Sequence, residues 1–251
     1  MFCVHPIGGL PEILAGDDLA ALLAERLAAG DPAIASGDIL VVTQKIVSKA
    51  EGRSVALSFV EVSDEARELA ALSCKEPALV ELVLRESSAV VRAVPNVLIT
   101  RHRLGHVMAN AGIDASNLGS NSQENVLLLP ENPDKSAALI AEACHARTGI
   151  RPGVIISDSF GRPWRIGTTN VAIGLAGPPA VIDQRGQPDR DGRIMQVTQI
   201  AFADAVAGAA GLAMGEGSEG LPACVVRGLA WQEGGQTSTE LVRPEGEDLF
   251  R

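Results

Sequence analysis

Val154-Ile155-Ile156-Ser157-Asp158-Ser159 decides how the fold is read. Valine and isoleucine are stiff at χ1 and suit strands, and a short unbroken apolar run behind Gly153 reads as a buried strand from Gly153 to Asp158. Its last residues are polar, and Asp158 falls at the expected strand exit. A second apolar run, Val107-Met108-Ala109-Asn110-Ala111-Gly112-Ile113-Asp114, ends the same way. A carboxylate there has little structural purpose but is well placed to hold a metal over an active-site floor. Ser159 follows Asp158, and Ser116 and Asn117 follow Asp114, giving the oxygen ligands that suit a hard cation such as Mg²⁺ or Mn²⁺.

Outward from these runs the pattern alternates between helix and strand. Asp17 or Asp18 caps an Ala/Leu-rich helix ending near Gly30, and Ser36-Gly37-Asp38 turns into a buried strand, Ile39-Leu40-Val41-Val42. Residues 63 to 86 read as helix with Ser63 as N-cap, split in two by Pro77. Asn96 to Thr100 and Gly105 to Asn110 read as strands joined by a basic turn, Arg101-His102-Arg103, which makes His102 and His106 surface residues. Asn125 to Leu129 follows as a strand, then a helix capped by Asp134 and running to about Arg147. Phe160 to Arg165 reads as a loop and Asn170 to Leu175 as a strand. Gln184 to Arg193 reads as a mobile polar loop, Gln196 to Met214 as a long helix, and Ala223 to Val226 as the last buried strand. The class is mixed α/β (α+β), a single domain over residues 1–251, with too few regular βαβ units for a doubly wound sheet.

Composition removes several function classes. With 251 residues and 46% hydrophobic content the chain can bury a large core, and no apolar stretch approaches the roughly 20 residues that span a bilayer. The beginning lacks a basic region followed by an apolar core, so no signal peptide is expected and the cytoplasm is the default. A net charge of −10 supplies no basic face for nucleic acid. Anionic substrates would have to be received by local lysines, by metals or by backbone amides. Cys3, Cys74, Cys144 and Cys224 form no CxxC pair and read as reduced, mostly buried thiols.

Five segments share one layout, an apolar element feeding a loop of glycine and polar groups: Gly8 to Pro11, Thr43 to Lys49, Asn110 to Asn117, Ser157 to Arg165 and Gly215 to Gly220. Together they suit phosphoryl transfer, in which glycines admit phosphate, lysines neutralise it and carboxylates hold metal. No GxxxxGK[ST], GxGxxG between strand and helix, or GxSxG motif is present. Each residue also has a plainer reading. Asp114 can cap a turn, Lys45 and Lys49 can form a solvated face, Arg162 and Arg165 can pair with surface acids, and Glu216 can sit at a helix end behind a left-handed Gly215.

Taken together, Gly9-Leu10-Pro11, residues 37–53 from Gly37-Asp38 through Gln44-Lys45 to Gly52-Arg53, Asn110 to Asn117, Ser157 to Arg165, and Met214-Gly215-Glu216-Gly217 with Val225-Val226-Arg227-Gly228 resemble the coenzyme F420-0:L-glutamate ligase family. The resemblance implies a fold of mixed sheets and packed helices in two intertwined lobes, a homodimer, and a GTP-dependent ligase that builds a γ-linked glutamate tail through an acyl phosphate. It implies Asp114, Asp158 and Lys49 as the catalytic set. Asp114 and Asp158 would hold one divalent metal, Mg²⁺ or Mn²⁺, and Ser159 and Glu216 a second, with K⁺ as a further cofactor. Nucleotide contacts would come from Leu10, Pro11, Glu12, Ile13, Gln44, Lys45, Lys49, Asn117 and the loop Met214, Gly215, Glu216, Gly217, Ser218, Glu219, Gly220 and Leu221. Ser159 stands where relatives often carry threonine, and Glu219 where some carry aspartate. Some relatives carry a C-terminal nitroreductase-like domain, which is not expected here. A GTP-dependent glutamate ligase acting on another pterin- or folate-like cofactor, and a nucleotide-binding regulator without turnover, are the competing readings.

Overall fold

The computed structural model describes residues 1–30, 33–116 and 125–248. In chain order the first half contains β1 (Cys3–Pro6), α1 (Leu19–Ala28), β2 (Ile39–Thr43), α2 (Gln44–Ala50), β3 (Ser54–Ala56), α3 (Asp64–Ser73), α4 (Pro77–Arg85), β4 (Ser87–Val94), β5 (Val97–His102) and β6 (Val107–Ala109). The second half contains β7 (Asn125–Leu127), α5 (Pro133–Thr148), β8 (Gly153–Arg162), β9 (Arg165–Ala176), β10 (Val181–Asp183), β11 (Gln199–Ala201), α6 (Phe202–Met214) and β12 (Ala223–Arg227). The mixed α/β class is as expected.

The main sheet has the order β1-β12-β2-β8-β9, in which β2 and β8 run parallel and every other pair is antiparallel. Its strands alternate strictly between two cores. Leu40, Val42, Val154, Ile156 and Val225 face α1 and α5, whereas Ile39, Val41, Ile155, Cys224 and Val226 face α6. That double burial explains why β2 and β8 read as continuous apolar runs rather than alternating ones. Each such fully covered side chain is worth about 1.5–3 kcal/mol of transfer free energy. A smaller body packs α3 and α4 on the three-stranded sheet β4-β5-β6, around Ala66, Val80, Val83 and Leu98.

Several boundaries differ from expectation. Residues 160–165 are not a loop, because β8 continues to Arg162 and turns back directly into β9 as a long hairpin. Asp158 therefore lies within β8, opposite Val171, and not at its exit. Residues 44–50 form helix α2 instead of a polar loop. Helix α6 starts at Phe202 rather than Gln196, because Gln199–Ala201 pair with β10. Asn132, not Asp134, caps α5 by accepting the Lys135 N–H at 3.0 Å. Asp134 reaches across to Leu175 N–H at 2.7 Å and to the Ser238 hydroxyl at 3.0 Å. The strand expected from Gly105 to Asn110 is only Val107–Ala109, and β4 was not anticipated at all.

His102 and His106 are also corrected. Both are buried, His102 as an inward residue of β5 behind Leu98 and Thr100, so Arg101 and His102 belong to the strand and the turn falls at residues 103–105. Of the thiols, Cys144 and Cys224 are buried and raised by burial to about 11 and about 12, but Cys74 is exposed at the end of α3.

Candidate active site

The site occupies the space that β2 vacates. Thr43 is the last residue of β2 and pairs with Ser157, after which β8 and β9 run on alone and leave one edge open. A cleft of about 490 Å³ fills this gap, lined by Leu10, Pro11, Glu12 and Ile13, by Gln44, Lys45 and Lys49 of α2, by Asp114, Ser116, Asp158 and Ser159, and by residues 214–222. Every site residue named from the sequence lies on it except Asn117, which is outside the described residues. Ligand sites commonly form where a sheet's connectivity changes in this way.

Asp114 is delivered by an unusual turn. Asn110, Ala111 and Gly112 all take positive φ (50°, 52° and 69°), and two of them are not glycine. A Cβ on Gly112 would lie 2.8 Å from the Met108 side chain and 2.9 Å from that of Leu129, so this position has no room for one. Holding non-glycine residues in the left-handed region costs on the order of 1–3 kcal/mol each, and such strain collects at functional sites. Beyond the turn, Asp114 exchanges two backbone hydrogen bonds with Leu127, at 3.0 and 2.7 Å, which fix its Cα.

The charges are paired across the cleft. Lys45 Nζ lies 2.8 Å from Asp114 Oδ2 and donates to the Ser116 hydroxyl at 3.0 Å, and Lys49 Nζ lies 2.7 Å from Glu12 Oε1. Lys45 and Lys49 are thus not a free solvated face. Burial alone would raise the Asp114 carboxyl, but Lys45 and the Ser116 N–H outweigh it and hold it below the usual value.

Asp158 behaves oppositely. Burial first, then repulsion from Asp114 and Glu216, pushes it up to about 7 against the opposing hydrogen bonds of Ser159 N–H and Gln44. Its side chain is half-buried and lines the cleft. Gln44 is almost wholly buried and its Oε1 accepts from Ser48 at 2.8 Å, so it acts chiefly as a brace for Asp158.

Glu216 is held by a residue the sequence reading missed. Asn170 of β9 donates its side-chain amide to Glu216 Oε1 at 2.6 Å. A lone amide in the otherwise apolar strand Asn170 to Leu175 was the available signal. Gly215 has φ 75° and ψ 175°, an extended mirror-image conformation rather than the left-handed cap considered above. Glu219 folds back to accept the Gly217 N–H at 2.8 Å, which shapes the loop from within.

Asp114 and Glu216 thus both repel the Asp158 carboxylate, while Lys45 pairs with Asp114 alone, a surplus of negative charge that suits a hard divalent ion. Among the described residues no group of three or more His, Cys, Asp or Glu side chains is close enough to cage a metal by itself. Pairs of protein oxygens completed by substrate oxygens are the usual arrangement for Mg²⁺, and the mutually repelling Asp114 and Asp158 have the chemistry of one such pair.

Comparison with known proteins identifies the family. Residues 9–228 match the family F420-0:Gamma-glutamyl ligase. The chain is 41% identical over 249 residues to the coenzyme F420:L-glutamate ligase of Methanothermobacter thermautotrophicus, covering 98% of this chain and 97% of that protein. It is 43% identical over 248 residues to the protein of the same name from Archaeoglobus fulgidus (99% and 96% covered), and 44% identical over 227 residues to that from Halobacterium salinarum (88% and 85%). The chain belongs to the F420-0:gamma-glutamyl ligase family.

Proposed function

We propose that this protein is a GTP-dependent ligase that joins the amine of L-glutamate to a carboxylate of coenzyme F420-0 and extends the γ-linked tail. The observation that carries the reading is the convergence of Asp114, Asp158, Ser159, Glu216, Lys45 and Lys49 on one cleft at the open edge of β8, bordered by the 10–13 and 214–221 segments. The names of relatives that match almost end to end support the acceptor. Attack of the acceptor carboxylate on the γ-phosphorus gives an acyl phosphate and GDP, and attack of the glutamate amine on the acyl carbon then expels phosphate and forms the amide. Divalent ions held by Asp114 with Asp158 and by Ser159 with Glu216 would neutralise the phosphate oxygens.

The chain's own groups supply the rest. Lys45 and Lys49 sit on one helix, a turn apart, and can each exchange a carboxylate partner for a phosphate oxygen. Asp158, with its raised affinity for a proton, is suited to exchange that proton for a cation. A K⁺ requirement, a homodimer and a cytoplasmic location belong to the same reading. Among the described residues no helix is long and apolar enough to cross a membrane.

The test is an incubation of purified protein with L-glutamate, F420-0 and Mn²⁺ or Mg²⁺, with GTP and ATP in parallel. A mass gain of one glutamyl residue on F420-0, with one phosphate released and GTP preferred, is expected. Phosphate release without any mass gain on F420-0, but with glutamylation of a folate- or pterin-like acceptor, would overturn the assignment.

A further inference from the structure

A second cavity, of about 600 Å³, borders the same β8–β9 hairpin. Ser159 and Asn170 line the cleft, while their chain neighbours Phe160 and Val171 line this cavity, so the two spaces lie one hairpin apart. The volume falls within the usual range for a small-molecule site.

Val91, Ile99 and half-exposed Val107 of the β4-β5-β6 sheet line the cavity together with Phe160 and Val171 of the hairpin, so apolar side chains of both sheets meet it. Phe160 is itself held in place by an edge-on contact with the His106 ring at 5.7 Å. Burial, and then the neighbouring His102, lowers His106 to about 4, so this ring adds no charge at neutral pH.

Three arginines reach the same space, which is notable in a chain of net charge −10. Among the described residues neither Arg92 nor Arg243 belongs to an ion pair. Arg101 approaches Asp248 only at 4.0 Å, and its buried Nε has no hydrogen-bond partner. Of the two acids on the lining, Asp204 is already engaged by the Ala172 N–H at 2.9 Å, and Asp248 lies beside Arg101. Guanidinium groups beside apolar walls, those of Arg92 and Arg243 outside any ion pair among the described residues, suit a planar ring system that carries a phosphate or carboxylate.

We propose that this cavity seats the acceptor, its aromatic ring against Phe160 and Val107 and its anionic tail on Arg92, Arg101 and Arg243, with the reacting carboxylate directed past Ser159 into the cleft. The proposal rests on the ligase reading above and assigns the acceptor site, which the cleft residues leave open.

The experiment measures F420-0 binding by equilibrium dialysis, GTP–Mn²⁺ binding, thermal melting and sedimentation for the wild type, the double variant Arg92→Ala/Arg243→Ala, and Val107→Glu. Both variants change exposed or partnerless side chains and should melt like the wild type. F420-0 should bind roughly tenfold or more weakly to each, with GTP–Mn²⁺ affinity unchanged. Unchanged F420-0 affinity, or an equal loss of GTP affinity, would overturn the assignment. A shift in sedimentation with F420-0 affinity intact would overturn it too, and would make the cavity a contact between copies of the chain. If the wild type glutamylates F420-0 and the variants bind it normally, only the cavity assignment fails; if the wild type neither binds nor glutamylates F420-0, the ligase reading fails and takes the assignment with it.

Discussion

Replacing Gly211 with alanine tests how Glu216 is held. Gly211 lies inside α6, where Gly→Ala ordinarily stabilises by about 1 kcal/mol because glycine loses more backbone freedom on folding. Here an added Cβ would lie 2.3 Å from Asn170 Nδ2 and 2.7 Å from its Cγ. The Asn170 side chain must therefore leave, breaking its 2.6 Å hydrogen bond to Glu216. Overpacking costs about 1–3 kcal/mol and the lost bond to an exposed carboxylate adds about 1, which together outweigh the helix gain. The expected net effect is a destabilisation of roughly 1–3 kcal/mol and, on the reading in which Glu216 holds metal, a drop in Mn²⁺ affinity of about 10–100-fold, the usual effect of removing a residue that orients a ligand. Thermal unfolding and calorimetric Mn²⁺ titration measure the two quantities. Asn170→Ala should reproduce the loss of metal affinity without the overpacking. A Gly211→Ala protein that melts higher and binds Mn²⁺ normally would show that Asn170 does not position Glu216.

Asp158→Asn removes one of three mutually repelling carboxylates, so turnover should be abolished while the metal-free protein melts no lower than the wild type; near-normal turnover would remove Asp158 from the metal site. Lys49→Ala should weaken GTP binding about tenfold with little change in melting temperature, because its ion pair with the exposed Glu12 is worth about 0–1 kcal/mol, and unchanged GTP affinity would refute its role at the phosphates. Glu86 gives a pH prediction outside the site. Burial alone would raise it, but His102, Arg53 and Arg103 lower it to about 2; the His102 contact, at 3.4 Å, is loose, and the arginines at 2.9 and 3.1 Å carry most of the effect. A depressed acid stabilises the fold above its unfolded pKa and loses that contribution as pH falls, here from about 4.5 towards about 2. Glu86→Gln should cost roughly 2–3 kcal/mol in urea unfolding at pH 7. The gap to wild type should shrink as the pH falls below 4.5, and a gap independent of pH would refute the argument.

The parts of the fold that the sequence made legible are those whose signal is local. The apolar runs of β2, β8 and β12 are buried on both faces and read directly as strands, and Ser63 and Pro77 mark helix starts through their own side chains. What escaped depends on partners far away. Residues 160–162 look like a loop because β2 stops at Thr43 and leaves the far end of β8 without that neighbour. Asp134 has the chemistry of a cap but is recruited by Leu175 and Ser238, which leaves the capping to Asn132. His102 lies between two arginines and so resembled a turn, although the period-two pattern Leu98, Thr100, His102 already placed it inward. The cleft residues were legible as a set through the family resemblance, whereas Asn170 was not, because its role depends on Glu216 in another segment and on the missing Cβ of Gly211 in α6.

The ion pairs of the cleft bear on how an acidic protein can receive anionic substrates. Lys45 rests on Asp114 and Lys49 on Glu12, while among the described residues Asp158 forms no ion pair and is pushed towards its protonated form. Partly exposed pairs of this kind are worth little, about 0–1 kcal/mol, so exchanging them costs little. On the ligase reading, a divalent ion that takes Asp114 and Asp158 releases Lys45 in the same step, and a lysine freed beside that ion is then available to a phosphate. Metal and nucleotide binding would then be positively coupled, because each relieves a charge that the other leaves unbalanced. On that reading the overall charge of −10 does not oppose binding, since the attraction would be local and the lysines would be released only as the cleft fills.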